Sequence, residues 1–255
     1  ILKYLNGEAK IWPIPLPSAE VAAKPSVRAL ALDEIAARLG IVALVGGELE
    51  IAQGAFDAAL AANPTNTVAL VGAADLHKFA GRWEQAEPLY LRAIELEPDN
   101  PYHKLDYGEF FYDRARAPHE RDMAQAQAWV VEARRQFARS YQLDDSIPET
   151  LAMNGATYLG DPDGAERAIA SLEAASDLAP SQPQIKFLLA QAYAHAERKH
   201  DALRLIRSLV AWSHAGGSDE ATAFLQALET DAQASPDSEQ KTPSATPAEE
   251  GASAP

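Results

Sequence analysis

The sequence predicts an all-α, right-handed α-solenoid of about five helix hairpins, finished by a C-terminal capping helix. Three observations carry this expectation. Prolines that end apolar stretches recur at Asn63-Pro64, Glu97-Pro98 and Ala179-Pro180, and an alanine stands five and twelve residues before each: Ala59 and Ala52, Ala93 and Ala86, Ala175 and Ala168. Eight residues before each proline comes a large side chain, Phe56, Tyr90 or Leu172. Hydrophobic residues make up 47% of the chain but aromatics only 7%, so small apolar residues dominate, and alanine favours helices that approach closely.

This phase places repeat units at 33–66, 67–100, 101–148, 149–182 and 183–216. Three of the four steps are 34 residues, and the third unit carries a 14-residue excess around Arg114–Gln127. That insertion is expected to lengthen both helices of its unit and their loop, with Pro118 as the break and Trp129 and Val130 resuming an apolar face. It is a candidate second contact site, although loop growth without function is the commoner case. Before the solenoid, expected over 26–232, residues 1–25 include Trp12-Pro13-Ile14-Pro15-Leu16-Pro17, an extended run that cannot be helical. Ser18 or Ser26 is a candidate cap for the first helix. Residues 217–232 read as the capping helix, with Ser218 at its start and Phe224, Leu225 and Leu228 turned inward. Residues 233–255 are rich in Ser, Pro, Ala, Thr and Glu, with little to bury, and are expected to be disordered.

The second unit, LVGAADLHKFAGRWEQAEPLYLRAIELEP, resembles the tetratricopeptide repeat family along most of its length. Its small pair Ala73-Ala74 falls where the two helices cross, Gly81 at the turn, Trp83 at the second helix start, and Ala86, Tyr90, Ala93 and Pro98 along that helix. Leu39-Gly40, Tyr107-Gly108, Gly155-Ala156 and Ala190 with Tyr193 extend the resemblance to the other units, over roughly residues 26–232. It implies a fold rather than a ligand.

Several function classes lose their footing. A formal net charge of −15 withholds the clustered Lys and Arg that a phosphate backbone rewards, so no nucleic-acid partner is expected. No apolar run nears the roughly 20 residues of a membrane span, so no direct insertion by this chain is expected. The absence of cysteine removes thiolate metal sites and a cysteine nucleophile; it leaves cytoplasm and periplasm both open. The nearest histidines, His195 and His200, fall on opposite sides of an expected turn, and Asp161/Asp163 and Asp144-Asp145 lack the full alternating set of a calcium loop. No P-loop, G-x-S-x-G or dinucleotide motif occurs. We expect no catalytic residues, no metal, no cofactor and no enzyme activity, and the acidic, alanine-rich composition suggests a bacterial source.

In the family the first helix of each unit lines the concave face, and carrying its inward positions over implies a groove built from Val71, Asp75 and Phe79 in the second unit. The third supplies Tyr102, Leu105, Glu109 and Tyr112, the fourth Met153 and Thr157, and the fifth Phe187 and Gln191. Val68, Lys78, Asp113, Thr150, Gln184 and His195 share those inward positions. Val71, Leu105 and Met153 fit packing between helices as well as contact. Some family members hold a terminal carboxylate with paired Lys and Asn; the matching positions here are Ala37, Ile41, Val71, Asp75, Leu105 and Glu109, none of them basic. The expected partner is therefore a protein or peptide with apolar anchors and room for a basic residue. A scaffold of this kind is the first reading. A second makes the chain the C-terminal accessory domain of a larger enzyme or membrane-associated protein, because Ile1-Leu2-Lys3-Tyr4-Leu5 reads like the end of a helix. A third, end-to-end self-assembly, sits poorly with an acidic capping helix.

Overall fold

The computed structural model describes residues 30–118, 122–212 and 219–234. The expectations for residues 1–25, for Ser18, Ser26 and Ser218 as caps, and for the tail beyond Ala234 fall outside these segments. The described residues form eleven α-helices and no strand. Five hairpins follow in order: α1 (Leu32–Val45) with α2 (Leu49–Ala62), α3 (Thr67–Phe79) with α4 (Trp83–Leu96), α5 (Pro101–Arg116) with α6 (Met123–Leu143), α7 (Pro148–Ala156) with α8 (Ala165–Leu178), and α9 (Pro183–His195) with α10 (Lys199–Trp212). A last helix, α11 (Asp219–Ala234), packs on α10.

Local chemistry explains where helices start and stop. Asn66 and Asn100 cap α3 and α5 by accepting from the backbone N–H of Ala69 (2.9 Å) and Tyr102 (3.0 Å), and Asp122 caps α6 through Ala124 and Gln125. Ahead of α1 the Ala31 N–H donates to the Glu34 carboxylate at 2.9 Å. Three hairpin turns close alike. The N–H three residues past the helix reaches back five residues, Glu48 to Ala43, Arg82 to His77 and Arg198 to Tyr193, across a residue in the left-handed region: Gly47, Gly81 and Glu197. Pro88 lies inside α4 on its exposed side, where solvent serves the carbonyl its missing N–H leaves behind.

Each helix packs on its neighbours in sequence, and the first helix of a hairpin also touches the first helix of the next, from α1–α3 through to α7–α9. The second helices do not meet to the same extent, so the first helices line the inside of the curve. The repeated alanines and large side chains form the core: Ala52, Phe56 and Ala59, Ala86, Tyr90 and Ala93, and Ala168, Leu172 and Ala175 are all fully buried. The Phe56 ring lies between Gly40 of its own unit and Gly72 of the next, so close that a Cβ at either glycine would collide with it. One large side chain thus joins two hairpins, and alanines on either side permit the approach. On the inner termini, Asp33 accepts from Asn63 (2.8 Å) and Asn66 (3.0 Å), Thr67 donates to Glu97 (2.8 Å), and Gln182 donates to Glu149 (2.8 Å). These bonds tie the start of a unit to its closing loop.

The excess in the third unit lengthens its two helices, as expected: α5 has 16 residues and α6 has 21, against 14 in α2, α4 and α8. Its first helix neighbour in the next unit is short, since α7 has only 9 residues.

Candidate functional site

The long α6 and the short α7 together open a cleft of about 940 Å³ on the inner side of the third to fifth hairpins. α5 contributes Glu109, Tyr112, Asp113 and Arg116 to it. α6 supplies the opposite wall with Met123, Gln127 and Val130, α7 and its exit Met153 and Thr157, and α9 Phe187, Leu188 and Gln191. The insertion's residues Met123, Ala126 and Gln127 line the same cleft as the inward positions of the first helices.

The abrupt end of α7 is held from outside. Arg134 of α6 donates Nε to Thr157 Oγ1 at 2.9 Å and Nη2 to the Thr157 carbonyl at 2.7 Å, while Nη2 also meets Asp161 at 2.7 Å. Its guanidinium stacks on the Tyr158 ring at 3.9 Å. The Tyr112 hydroxyl donates to the Ala156 carbonyl at 3.2 Å. Two carbonyls at the C-terminal end of α7, those of Ala156 and its cap Thr157, thus receive side-chain donors, one of them cationic and favourable at a helix C-terminus. At the far end Phe187 meets Phe224 of α11 edge-to-face, 5.7 Å between centroids, and Glu220 of α11 reaches the cleft.

Charge is strongly one-sided. Among the described residues, Glu109, Asp113, Glu149, Asp161 and Glu220 line the cleft, against Arg116 as the one basic lining residue. Deeper between α3 and α5, Lys78 is buried with its ammonium 3.2 Å from Asp75, 3.5 Å from Asp113 and 3.9 Å from Glu109. Burial pulls Lys78 down, but these three carboxylates outweigh it and hold the ammonium above its usual value. Tyr90 donates to the same Asp75 at 2.6 Å. Asp106 borders this group, and burial, with Asp75 and Glu109 adding to it against Lys78, pushes its carboxyl up to about 8. Burial likewise raises Glu109, with Lys78 opposing. Carboxylates outnumber the one lysine, so the inner face is electronegative.

Of the residues expected to form the groove, Glu109, Tyr112, Met153, Thr157, Phe187 and Gln191 line the cleft together. Asp75 belongs to the Lys78 cluster. Phe79 and Tyr102 are exposed large side chains outside the cleft lining. Leu105 is buried at 5% exposure, and Val71 packs against the same core cluster, so these two serve packing. Thr157 keeps only 3% exposure, and its hydroxyl is engaged by Arg134 and the Asn154 carbonyl. Asp161, weighed above as part of a calcium loop, is ion-paired to Arg134, and among the described residues no group of three metal-ligating side chains converges. Arg134 stands on a second helix, outside the inward positions of the first helices, and the repeat pattern carries no signal for it; Met123 and Gln127 of the α6 wall belong to the insertion, expected as a second contact site rather than as part of the groove.

Models of the tetratricopeptide repeat match residues 46–105 and 154–220. The chain belongs to the tetratricopeptide repeat family. No curated protein matches it. Among solved structures, this repeat solenoid is similar to a thermophilic tetratricopeptide repeat protein of Thermus thermophilus, with a TM-score of 0.67 and 19% identity over 78% of this chain and 99% of that one. It is also similar to pilF of Pseudomonas aeruginosa (TM-score 0.60, 18% identity, 80% and 91% covered). A third is the human IFIT1 dimer with PPP-AAAA (0.67, 13%, 79% and 47% covered). At these identities the likeness is one of fold.

Proposed function

We propose that this tetratricopeptide repeat protein is an interaction scaffold whose cleft seats a partner segment through an apolar side chain with a basic residue beside it. The supporting observation is the lining itself: Tyr112, Met153, Phe187 and Leu188 offer an apolar floor, and carboxylates outnumber Arg116 around it. An apolar anchor gains from leaving water, whereas the acidic rim selects the sign of the flanking charge. The same sign disfavours a phosphate backbone as occupant.

Affinity capture with the full chain, compared with a Tyr112→Ala/Phe187→Ala double variant and with Tyr102→Ala, tests the assignment. Partners retained by the wild type are expected to be lost with the double variant and kept with Tyr102→Ala. Retention should weaken as salt rises, because part of the attraction is between exposed charges. An unchanged set of partners on the double variant would remove the cleft from the account.

A further inference from the structure

Methionine is scarce in this chain and it is not scattered. There are two in 255 residues, with no cysteine, and both line the cleft: Met123 on the α6 wall and Met153 on α7. All of the chain's sulfur therefore borders one space. The fold holds the two thioethers differently. Met153 is half-buried and packs against the core cluster that contains Tyr107, Phe110 and Phe137. Met123, the first residue of α6, is 86% exposed and belongs to no core cluster among the described residues. It supports no packing, yet it borders the same cleft as the apolar floor of Tyr112, Met153, Phe187 and Leu188. A bare, unbranched, polarizable side chain in that place suits contact with a guest. It is also the sulfur that an oxidant in solution reaches first.

On the reading that the cleft seats the partner, we propose that Met123 is a reversible oxidation site whose sulfoxide lowers the affinity of the cleft. The oxidant is a peroxide. The Met123 sulfur attacks one peroxide oxygen, and the O–O bond breaks as the S–O bond forms. Sulfur gives up two electrons, the peroxide accepts them, and the departing oxygen takes up a proton, leaving as water when the oxidant is hydrogen peroxide. A polar, chiral group then stands where an apolar one stood. An anchor pressed against it must strip water from the sulfoxide oxygen, which is unfavourable without a replacement hydrogen bond. The carboxylates that dominate the rim are acceptors and offer that oxygen none. The fold itself is indifferent to the change, because Met123 holds none of it together. Methionine sulfoxide reductases, with a dithiol as electron donor, remove the oxygen as water, and a side chain this exposed lies within their reach.

The probe is a dansyl-labelled synthetic peptide of alternating leucine and lysine, followed by fluorescence anisotropy with the full chain. Wild type should bind it and Tyr112→Ala/Phe187→Ala should not; failure at this step removes the cleft reading and this proposal with it. Under hydrogen peroxide, peptide mapping should show Met123 taking up one oxygen several-fold faster than Met153. The protein oxidised at Met123 should bind the probe on the order of tenfold more weakly, keep its urea midpoint, and regain its affinity after reductase treatment. Met123→Leu should bind the probe alike before and after the same brief exposure. Equal rates at the two methionines, full affinity in the sulfoxide, or a lowered urea midpoint would each overturn the proposal and leave the cleft reading in place. So would a loss that the reductases do not reverse, or the same loss in Met123→Leu.

Discussion

Arg134 of α6 donates to the backbone carbonyl of Thr157 at 2.7 Å, so the helix lengthened by the insertion finishes the helix that is cut short beside it. The same guanidinium takes Thr157 Oγ1 and Asp161 and lies over the Tyr158 ring. A lysine cannot serve these acceptors as a fork or stack in the same way. Arg134→Lys is therefore expected to lower stability by about 1–3 kcal/mol and to speed amide exchange in residues 157–164. Urea unfolding and mass-resolved exchange check this, and wild-type stability in the variant would show the fork to be incidental.

The three like turns contain their own control. Gly81 sits at φ 68° and Glu197 at φ 60° in the same hydrogen-bonded closure. A side chain there crowds the following carbonyl. Glu197→Gly should thus raise stability by about 0.5–1 kcal/mol, and Gly81→Ala should lower it by about 1 kcal/mol. Thermal or urea melts of both variants give the comparison; two changes of the same sign would contradict it.

Phe56 links the first two hairpins through its contact with Gly72. Gly72→Ala would place a methyl against the ring, at a cost of about 1–3 kcal/mol. Adding Phe56→Leu to Gly72→Ala makes room, and the pair should lose less than the sum of the two single changes. A double-mutant cycle in urea measures the coupling, and strict additivity would break the link.

Asp106 sets a pH dependence whose sign follows from burial. Its carboxyl is pushed up to about 8 in the folded protein, above its value in the unfolded chain. Its contribution to stability is complete below the unfolded pKa of about 4 and declines as pH rises through about 8. Asp106→Asn imitates the neutral form, so its stability relative to wild type should be nearly level at pH 4 and should grow on the order of 2 kcal/mol by pH 8; the residue is partly exposed, which keeps the figure modest. Urea melts across that range test the slope, and a pH-independent difference would show that the carboxyl is not titrating there.

The fold was legible because its signals are local and repeated. Alanines, a large side chain and a closing proline recur in one phase in the first, second and fourth hairpins, where the alanines and the large side chain are fully buried. The site was legible in part. Tyr112, Met153 and Phe187 fall where the inward positions of first helices put them, but Leu105 and Val71 obey the same spacing and are taken up by the core. Position within a repeat cannot distinguish them, since a curved stack assigns the same row of side chains to contact or to packing according to how closely two neighbouring hairpins approach. Met123 and Val130 were legible only as part of the insertion and the apolar face after it, not as part of the groove, because they stand on a second helix, one that runs seven residues longer than α2, α4 and α8.

A uniform array of identical hairpins offers a ligand several equivalent footholds, and an elongated guest can slip along it by one unit at little penalty. The single overlong hairpin abolishes that degeneracy. On the function proposed above, one landmark on the rod would give a bound segment one alignment and one direction, and whatever is attached to its two ends would be delivered to fixed places.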